Sequence, residues 1–368
     1  MKKLMRKIFL LTVLMAALIF SKANAAWQPE IRIGILRGVN SVNLQMSAPC
    51  NIVDADTQKI IRAVDAGENF TIYFDEMTAN ALEIRGGYDL QTAINGKKYF
   101  GGVRINKKNG ALNVISLAPV EEYLRGVVPE EMGVYFSTEA LKAQAVAARS
   151  FTLKNRNRHE SEGFDLCATN HCQFYGGVES AKNLTDKIIL ETRGEIVTDG
   201  KRVVDTNFHT DSGGMTENVA DVWGSAAPHL LPAVELETKT QPWTVEISAK
   251  DFVSKLDISE LKAIKLSKLE IGKAAVDRSK SGRVKFALII GTKKNLQISG
   301  NDLRTKFSLP STLFDMKFDG DKIIFSGYGR GHGVGMSQRG AEAYAKIGWT
   351  YDKILAHYYR GTTLKKLY

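Results

Sequence analysis

Residues 120–153 read VEEYLRGVVPEEMGVYFSTEALKAQAVAARSFTL, and the fold turns on how this run divides. Its second half, from Thr138 to Lys154, predicts a helix. Leu141, Ala145, Ala148 and Thr152 recur at three- and four-residue steps and mark one face. Ser137 or Thr138 can cap it, because a side-chain oxygen there satisfies a free N–H of the first turn. Glu139 suits the positive end of the helix dipole. Ala140, Ala143, Ala145, Ala147 and Ala148 let another backbone pack close. The first half ends in a tight acidic turn, Pro129-Glu130-Glu131-Met132, after valines expected to be buried. A carboxylate against such an apolar wall is disfavoured as an anion, which is how a glutamate becomes a proton donor at neutral pH. Glu130 and Glu131, the two carboxylates of this turn, are therefore the first candidates for chemistry.

The chain has 368 residues, room for one large or two modest domains, and a formal charge of +10. It begins MKKLMRK, continues IFLLTVLMAALIF, and reaches Ala23-Asn24-Ala25. A basic head, a short apolar core and a small-x-small site predict a signal peptide over residues 1–25, cleaved after Ala25. An uncleaved anchor is the alternative, but the core is short for a span of about 20 residues. Cleavage would remove Lys2, Lys3, Arg6, Lys7 and Lys22 and lower the charge from +10 to +5. A mildly basic exported chain suits a wall polymer. No zinc finger, basic stripe or aromatic–basic interleaving points to nucleic acid. After cleavage no stretch is apolar enough to span a membrane.

The sequence predicts an α+β fold. Residues 26–118 form a β-rich N-terminal region, with hairpin turns at Asn95-Gly96 and Asn109-Gly110. Residues 119–240 form a motif-rich helical and β core. Residues 241–325 read as an inserted α/β subdomain, in which residues 277–283 are a polar loop. Residues 326–368 return to the core with a glycine-rich motif and two C-terminal helices, the first starting at Ser337.

Several motifs in this order resemble the stage II sporulation protein D family, the amidase-enhancer and lytic transglycosylase group that acts on peptidoglycan. They are LRGVV at 124–128, Glu131-Met132, EALKAQAVAAR at 139–149, HCQFYG at 171–176, Ser212-Gly213-Gly214 and GHGVGMSQ at 331–338. Together they cover most of the chain after residue 25. The resemblance implies that residues 119–240 are the catalytic core, with a glycan-binding cleft, of a lytic transglycosylase that cuts between N-acetylmuramic acid and N-acetylglucosamine. It also implies that the glutamate before the methionine, Glu131, is the catalytic acid, with Glu130 its near competitor. One carboxylate suffices when the sugar's own C6 hydroxyl attacks C1, whereas most glycosidases need two. A non-catalytic peptidoglycan-binding enhancer of a cell-wall amidase is the alternative, and a two-carboxylate hydrolase is a further one.

Other residues fill in the expected cleft. In FHTDSGG, residues 208–214, a strand end brings His209 and Ser212 to a glycine turn. A Ser–His–Asp triad is the competing reading, but no Gly-x-Ser-x-Gly elbow is present. Lys142, Arg149, Gln173 and Tyr175 are candidates to bond sugar hydroxyls or acetamido groups. For Lys142 and Arg149 an exposed helix face is an equal alternative. His332 and Gln338 of the glycine motif are expected to point into the cleft, with a buried structural His332 as the alternative. That motif misses the dinucleotide fingerprint spacing. His229 and His357 read as structural.

The three cysteines leave an odd count for an exported protein. Cys167 and Cys172 with His159 or His171 leave a zinc site, a short disulfide and free thiols open. His159 is preferred as third ligand, because His171 adjoins Cys172 in sequence. The resemblance implies that some members carry zinc here. No cofactor is required for the chemistry. The expected partners are peptidoglycan glycan strands and a cell-wall amidase, and the expected location is the periplasm, wall or exterior.

Overall fold

The computed structural model describes residues 27–87, 89–236 and 241–368. The signal-peptide reading of residues 1–25 lies outside them. No helix among the described residues is long and apolar enough to cross a membrane. The fold is a mixed α+β one with several sheets.

The chain forms two compact units. The first holds residues 27–123, Asn157–Glu179 and Tyr368. Its strands are β1 (Glu30–Val39), β2 (Ser41–Met46), β3 (Cys50–Asp54), β4 (Ile60–Val64), β5 (Asn69–Tyr73), β6 (Ala81–Arg85), β7 (Gln91–Ile94), β8 (Lys97–Phe100), β9 (Gly102–Lys108), β10 (Ala111–Pro119) and β11 (Leu166–Cys167). A seven-stranded sheet runs β11-β1-β10-β9-β6-β3-β4, and a four-stranded one runs β5-β2-β7-β8. Both expected Asn-Gly hairpins form, β7 to β8 and β9 to β10. Their turns need positive φ at both positions, and the values are 48° and 84° at Asn95-Gly96 and 51° and 77° at Asn109-Gly110. Residues 157–179 were expected in the catalytic core, but β11 pairs in parallel with β1, Gly34 opposite Cys167, and draws them into this unit.

The second unit holds Leu124–Arg156 and Ser180–Leu367. Helix α1 (Val120–Arg125) leads into it, and the expected acidic turn is a one-turn helix, α2 (Val128–Glu131), with Pro129 in its first turn. Helix α3 (Thr138–Lys154) follows at the predicted bounds. Every residue from Ala140 to Thr152 except half-buried Lys142 is buried, where one apolar face was expected. The physical reason is its alanines. They admit α4 (Asn183–Glu191), the β12 strand (Glu195–Thr198) and two C-terminal helices against the same rod. Ser137 is its N-cap residue but makes no side-chain cap bond. Its N–H and Oγ instead donate to the Glu342 carboxylate at 2.7 and 3.0 Å.

Strand β13 (Phe208–His209) leads to a short helix, α5 (Val219–Trp223). The insertion carries two three-stranded sheets, built from β14 (Trp243–Ser248), β15 (Leu261–Lys265), β16 (Phe286–Gly291), β17 (Asn295–Ser299), β18 (Phe314–Asp319) and β19 (Lys322–Gly327). Helices α6 (Ala249–Lys255) and α7 (Gly300–Lys306) lie among them, and both are capped by serines, Ser248 and Ser299. Phe252, Phe307, Phe314 and Phe325 centre its own apolar core. Strand β20 (Met336–Ser337) pairs in parallel with β13, Phe208 opposite Met336. Helix α8 (Gln338–Lys346) starts there under a Ser337 cap; α9 (Tyr351–Tyr358) and β21 (Thr363–Lys366) close the unit.

Candidate functional site

Glu131 ends α2, half-buried beside Val127, Val128 and Met132, which are all fully buried. The Met132 N–H donates the last helical bond, to Val128 O at 2.9 Å, and the extended backbone of Met132 ends the helix at the glutamate. Glu130 is exposed and accepts a bond from Ser180 Oγ. The turn after Glu131 is held by the Ser137–Glu342 bonds, and Glu342 lies on α8. The same α8 begins at Ser337, which caps it through Gly340 N–H at 3.1 Å and pairs with His209. Acidic turn, FHTDSGG strand and glycine motif are thus joined through one helix.

The glycine motif needs glycine for space as well as for φ. Gly331 has φ +106°, and a Cβ there would lie 2.7 Å from His209 Cβ. His209 is 5% exposed, and its Nδ1 lies 3.1 Å from Val334 O. The carbonyl only accepts, so Nδ1 carries the proton and Nε2 is bare. That Nε2 is buried without a partner among the described residues. The His209 and His332 ring centroids are 5.4 Å apart, and Trp223 lies 5.1 Å from His332. Val334 N–H donates to His332 Nδ1 at 3.0 Å. Burial is the main force holding both histidines neutral. It takes His209 well below its usual range and His332 to about 3.

Ser212 is fully buried, and its hydroxyl donates to Glu235, away from His209. With His209 Nε2 unpartnered, no Ser–His–Asp triad forms. Glu235 also accepts from Tyr358 Oη at 2.7 Å, and burial raises its pKa. Gln338 is buried at the first position of α8.

All four expected sugar contacts have partners within the protein, and Arg149, Gln173 and Tyr175 are buried. Lys142 pairs with Glu191 at 3.1 Å and Glu139 at 3.3 Å, which raise its pKa. Arg149 is fully buried and donates to Glu195 O at 3.1 Å, so it is not on an exposed face either. Gln173 and Tyr175 are core residues of the first unit. Gln173 Oε1 accepts from Tyr123 Oη at 3.2 Å, and Tyr175 packs 4.9 Å from the Tyr123 ring. The motif supplied residue types without saying which way they point.

The expected polar loop at 277–283 is buried except for half-buried Asp277 and exposed Lys280. Ser279 and Ser281 hydroxyls both donate to Glu217, which is 2% exposed. Arg278 is bonded to Gly282 O and Asp315, and Arg283 to Ser212 O. Ser279, Ser281 and Arg278 are satisfied in this way, whereas Arg283 keeps Nε and Nη1 without a partner among the described residues, so polarity did not mean exposure. Glu235, Glu217, Arg283 and Arg304 carry no sequence signal of their own. Glu342 does have one, lying in the helix that follows the glycine motif.

In the first unit the ligand atoms of His159, Cys167, His171 and Cys172 all lie within 4.8 Å of one another. His159 Nε2 is 3.4 Å from Cys172 Sγ, and His171 Nδ1 is 3.7 and 3.6 Å from the two sulfurs. Both histidines reach the thiols, so the expected choice between them falls away. The thiols are unbridged. Burial alone would raise Cys167, but hydrogen bonds from Thr169, His171 and Cys172 bring it to about 7. Burial pushes Cys172 up to about 11. Glu162 Oε1 lies 2.6 Å from His159 Nδ1, which leaves Nε2 as the free donor atom. Two thiols, two imidazoles and a carboxylate behind one of them make a donor set that fits tetrahedral zinc.

The signature of the family described as stage II sporulation protein matches residues 108–198, and a domain family of unknown function matches residues 233–335. The stage II sporulation protein D of Bacillus subtilis (strain 168) is 34% identical over 271 residues, covering 67% of this chain and 75% of that protein. An uncharacterized protein of Brachyspira hyodysenteriae is 33% identical over 292 residues, covering 77% and 75%. The amidase enhancer of Bacillus subtilis is 29% identical over 66% of this chain but only 40% of its own length.

Proposed function

Because the chain belongs to the stage II sporulation protein D family, we propose that it acts on the bacterial cell wall, cutting peptidoglycan glycan strands by lytic transglycosylation with Glu131 as acid and base. The observation that carries this reading is how Glu131 is mounted. A half-buried carboxyl group ends a one-turn helix on a wall of Val127, Val128 and Met132, and the turn after it is pinned to the helix of the glycine motif.

The reaction balances with one carboxyl group. Glu131 gives its proton to the glycosidic oxygen as the bond to C1 of N-acetylmuramic acid breaks, and the N-acetylglucosamine end leaves as an alcohol. The C6 hydroxyl of the same muramic acid attacks C1 and returns its proton to Glu131. The product is a 1,6-anhydro sugar, and no water is consumed. Digestion of purified peptidoglycan followed by mass spectrometry tests this. Transglycosylation gives products one water lighter than hydrolysis, and Glu131→Gln abolishes them. Products carrying the added water would replace this reading with hydrolysis.

The zinc reading belongs here as well. Cys167, Cys172, His159 and His171 would hold the ion with four protein ligands, leaving no open position, so its part is structural. It would keep both thiols ionised and tie β11 to the loop around His171.

A second reading rests on the relative named amidase enhancer. The same surface then binds glycan without cutting it and stimulates a separate amidase. A wild-type protein that yields no anhydro product yet accelerates an added amidase supports that reading. Both readings place the protein outside the cytoplasm, in the periplasm, wall or exterior, as the basic-apolar N-terminal sequence predicts.

A further inference from the structure

The turn that follows Glu131 carries an exposed aromatic ring that the acid–base chemistry leaves unused. The Phe136 N–H donates to Gly133 O at 3.2 Å and closes a tight turn with Val134 and Tyr135 at its centre. Both central residues face solvent, Val134 at 45% and Tyr135 at 83% exposure. The ring is nonetheless placed. It folds back along the chain over Gly133, where a Cβ would lie 2.4 Å from Tyr135 Cε1. The Phe136 ring flanks it, with centroids 4.8 Å apart and planes inclined by 30°. The next residue, Ser137, anchors the turn to Glu342. Gly133 is two Cα steps from Glu131, at most roughly 7.6 Å. The ring therefore lies over backbone that adjoins the acid.

An exposed apolar side chain by itself calls for no partner. What sets this one apart is its fixed position beside a candidate acid. Glycine costs backbone entropy, and here its missing side chain is what admits the ring. A platform ordered before binding loses little entropy when a ligand meets it, and tyrosine has only two χ angles to fix. The ligand that fits has an apolar face rimmed by hydroxyls. A pyranose ring is of this kind. Its axial C–H groups meet the electron-rich aromatic face, and its equatorial hydroxyls reach outward to water or to Tyr135 Oη.

We propose that Tyr135 is a stacking platform for a sugar ring of a glycan strand, beside the linkage that Glu131 addresses. The proposal rests on the glycan reading above. It adds a specificity to it, because an oligomer that reaches the ring is held better than a single sugar.

Titration of the full chain with tetra-N-acetylchitotetraose, followed by NMR, tests the platform without reference to cleavage. Sugar C–H protons that meet the ring move upfield under its ring current. Tyr135→Ala abolishes that shift and weakens binding about 2- to 12-fold, the range for one aromatic contact. Tyr135→Phe keeps both, and Tyr135→Trp keeps or strengthens them, which a merely structural role would not produce. Gly133→Ala displaces the ring and loses part of the affinity. Wild type without a ring-current shift, Tyr135→Ala that binds as wild type does, or Tyr135→Phe that loses as much as Tyr135→Ala overturns the proposal. A wild type that stacks the oligomer through Tyr135 yet yields no anhydro product sinks the transglycosylase reading alone. Anhydro product formed by Tyr135→Ala with an unchanged KM sinks the platform alone.

Discussion

Gly340 sits in the first turn of α8, where replacing glycine by alanine ordinarily stabilises a helix by about 1 kcal/mol. Here the opposite is expected. A Cβ at Gly340 would lie 2.0 Å from Tyr358 Oη and 2.3 Å from Glu235 Oε1, on top of the 2.7 Å bond joining them. Both groups are buried and Glu235 also holds Ser212, so neither can swing into solvent. Breaking that bond costs about 1–3 kcal/mol for a buried carboxyl group. The forced movement of packed helices adds about 1–3 kcal/mol. Set against the helix gain, Gly340→Ala should lose about 3 kcal/mol in total. Urea unfolding followed by circular dichroism measures this. Tyr358→Phe removes the nearest clashing atom, so the double variant should be more stable than the sum of the singles by at least about 1 kcal/mol. A Gly340→Ala protein as stable as wild type, or additive effects in the double variant, would refute the reasoning.

Other outcomes follow from the same geometry. Glu131→Gln should lower the rate of anhydro-product formation about 100- to 10,000-fold with glycan binding kept, read by product chromatography; an unchanged rate would move the acid elsewhere. His209 is held neutral by burial, so below its ordinary range the unfolded chain binds the proton that the fold refuses. Stability should therefore fall from pH 7 to pH 5 by up to about 2 kcal/mol for this group, and the His209→Gln variant should lose that part of the slope. Burial raises Glu235, so its contribution is present at low pH and lost as pH rises through its folded value. Glu235→Gln should accordingly compare better with wild type at pH 7 than at pH 4 in the same unfolding assay. A strong chelator should lower the melting temperature of wild type but not of Cys172→Ser, with metal content read by mass spectrometry; no bound metal in the purified protein would end the zinc proposal.

The sequence alone determined the central helix at its bounds, both Asn-Gly hairpins, the serine that opens α8 and the four residues of the thiol–imidazole cluster. These are local matters, since periodicity, turn chemistry and ligand spacing act within a few residues along the chain. Tertiary structure decided direction and company. It buried α3 on every side because its alanines admit neighbours all round, and it took Ser137 from capping duty to hold Glu342. It turned Arg149, Gln173 and Tyr175 inward, held Lys142 between Glu139 and Glu191, and drew the serines and arginines of 277–283 around Glu217, Asp315 and Ser212. It also bonded Arg283 to Ser212 O, 71 positions away in the chain. A buried charge is specified by partners that are remote in sequence, so no window along the chain contains the information that places it.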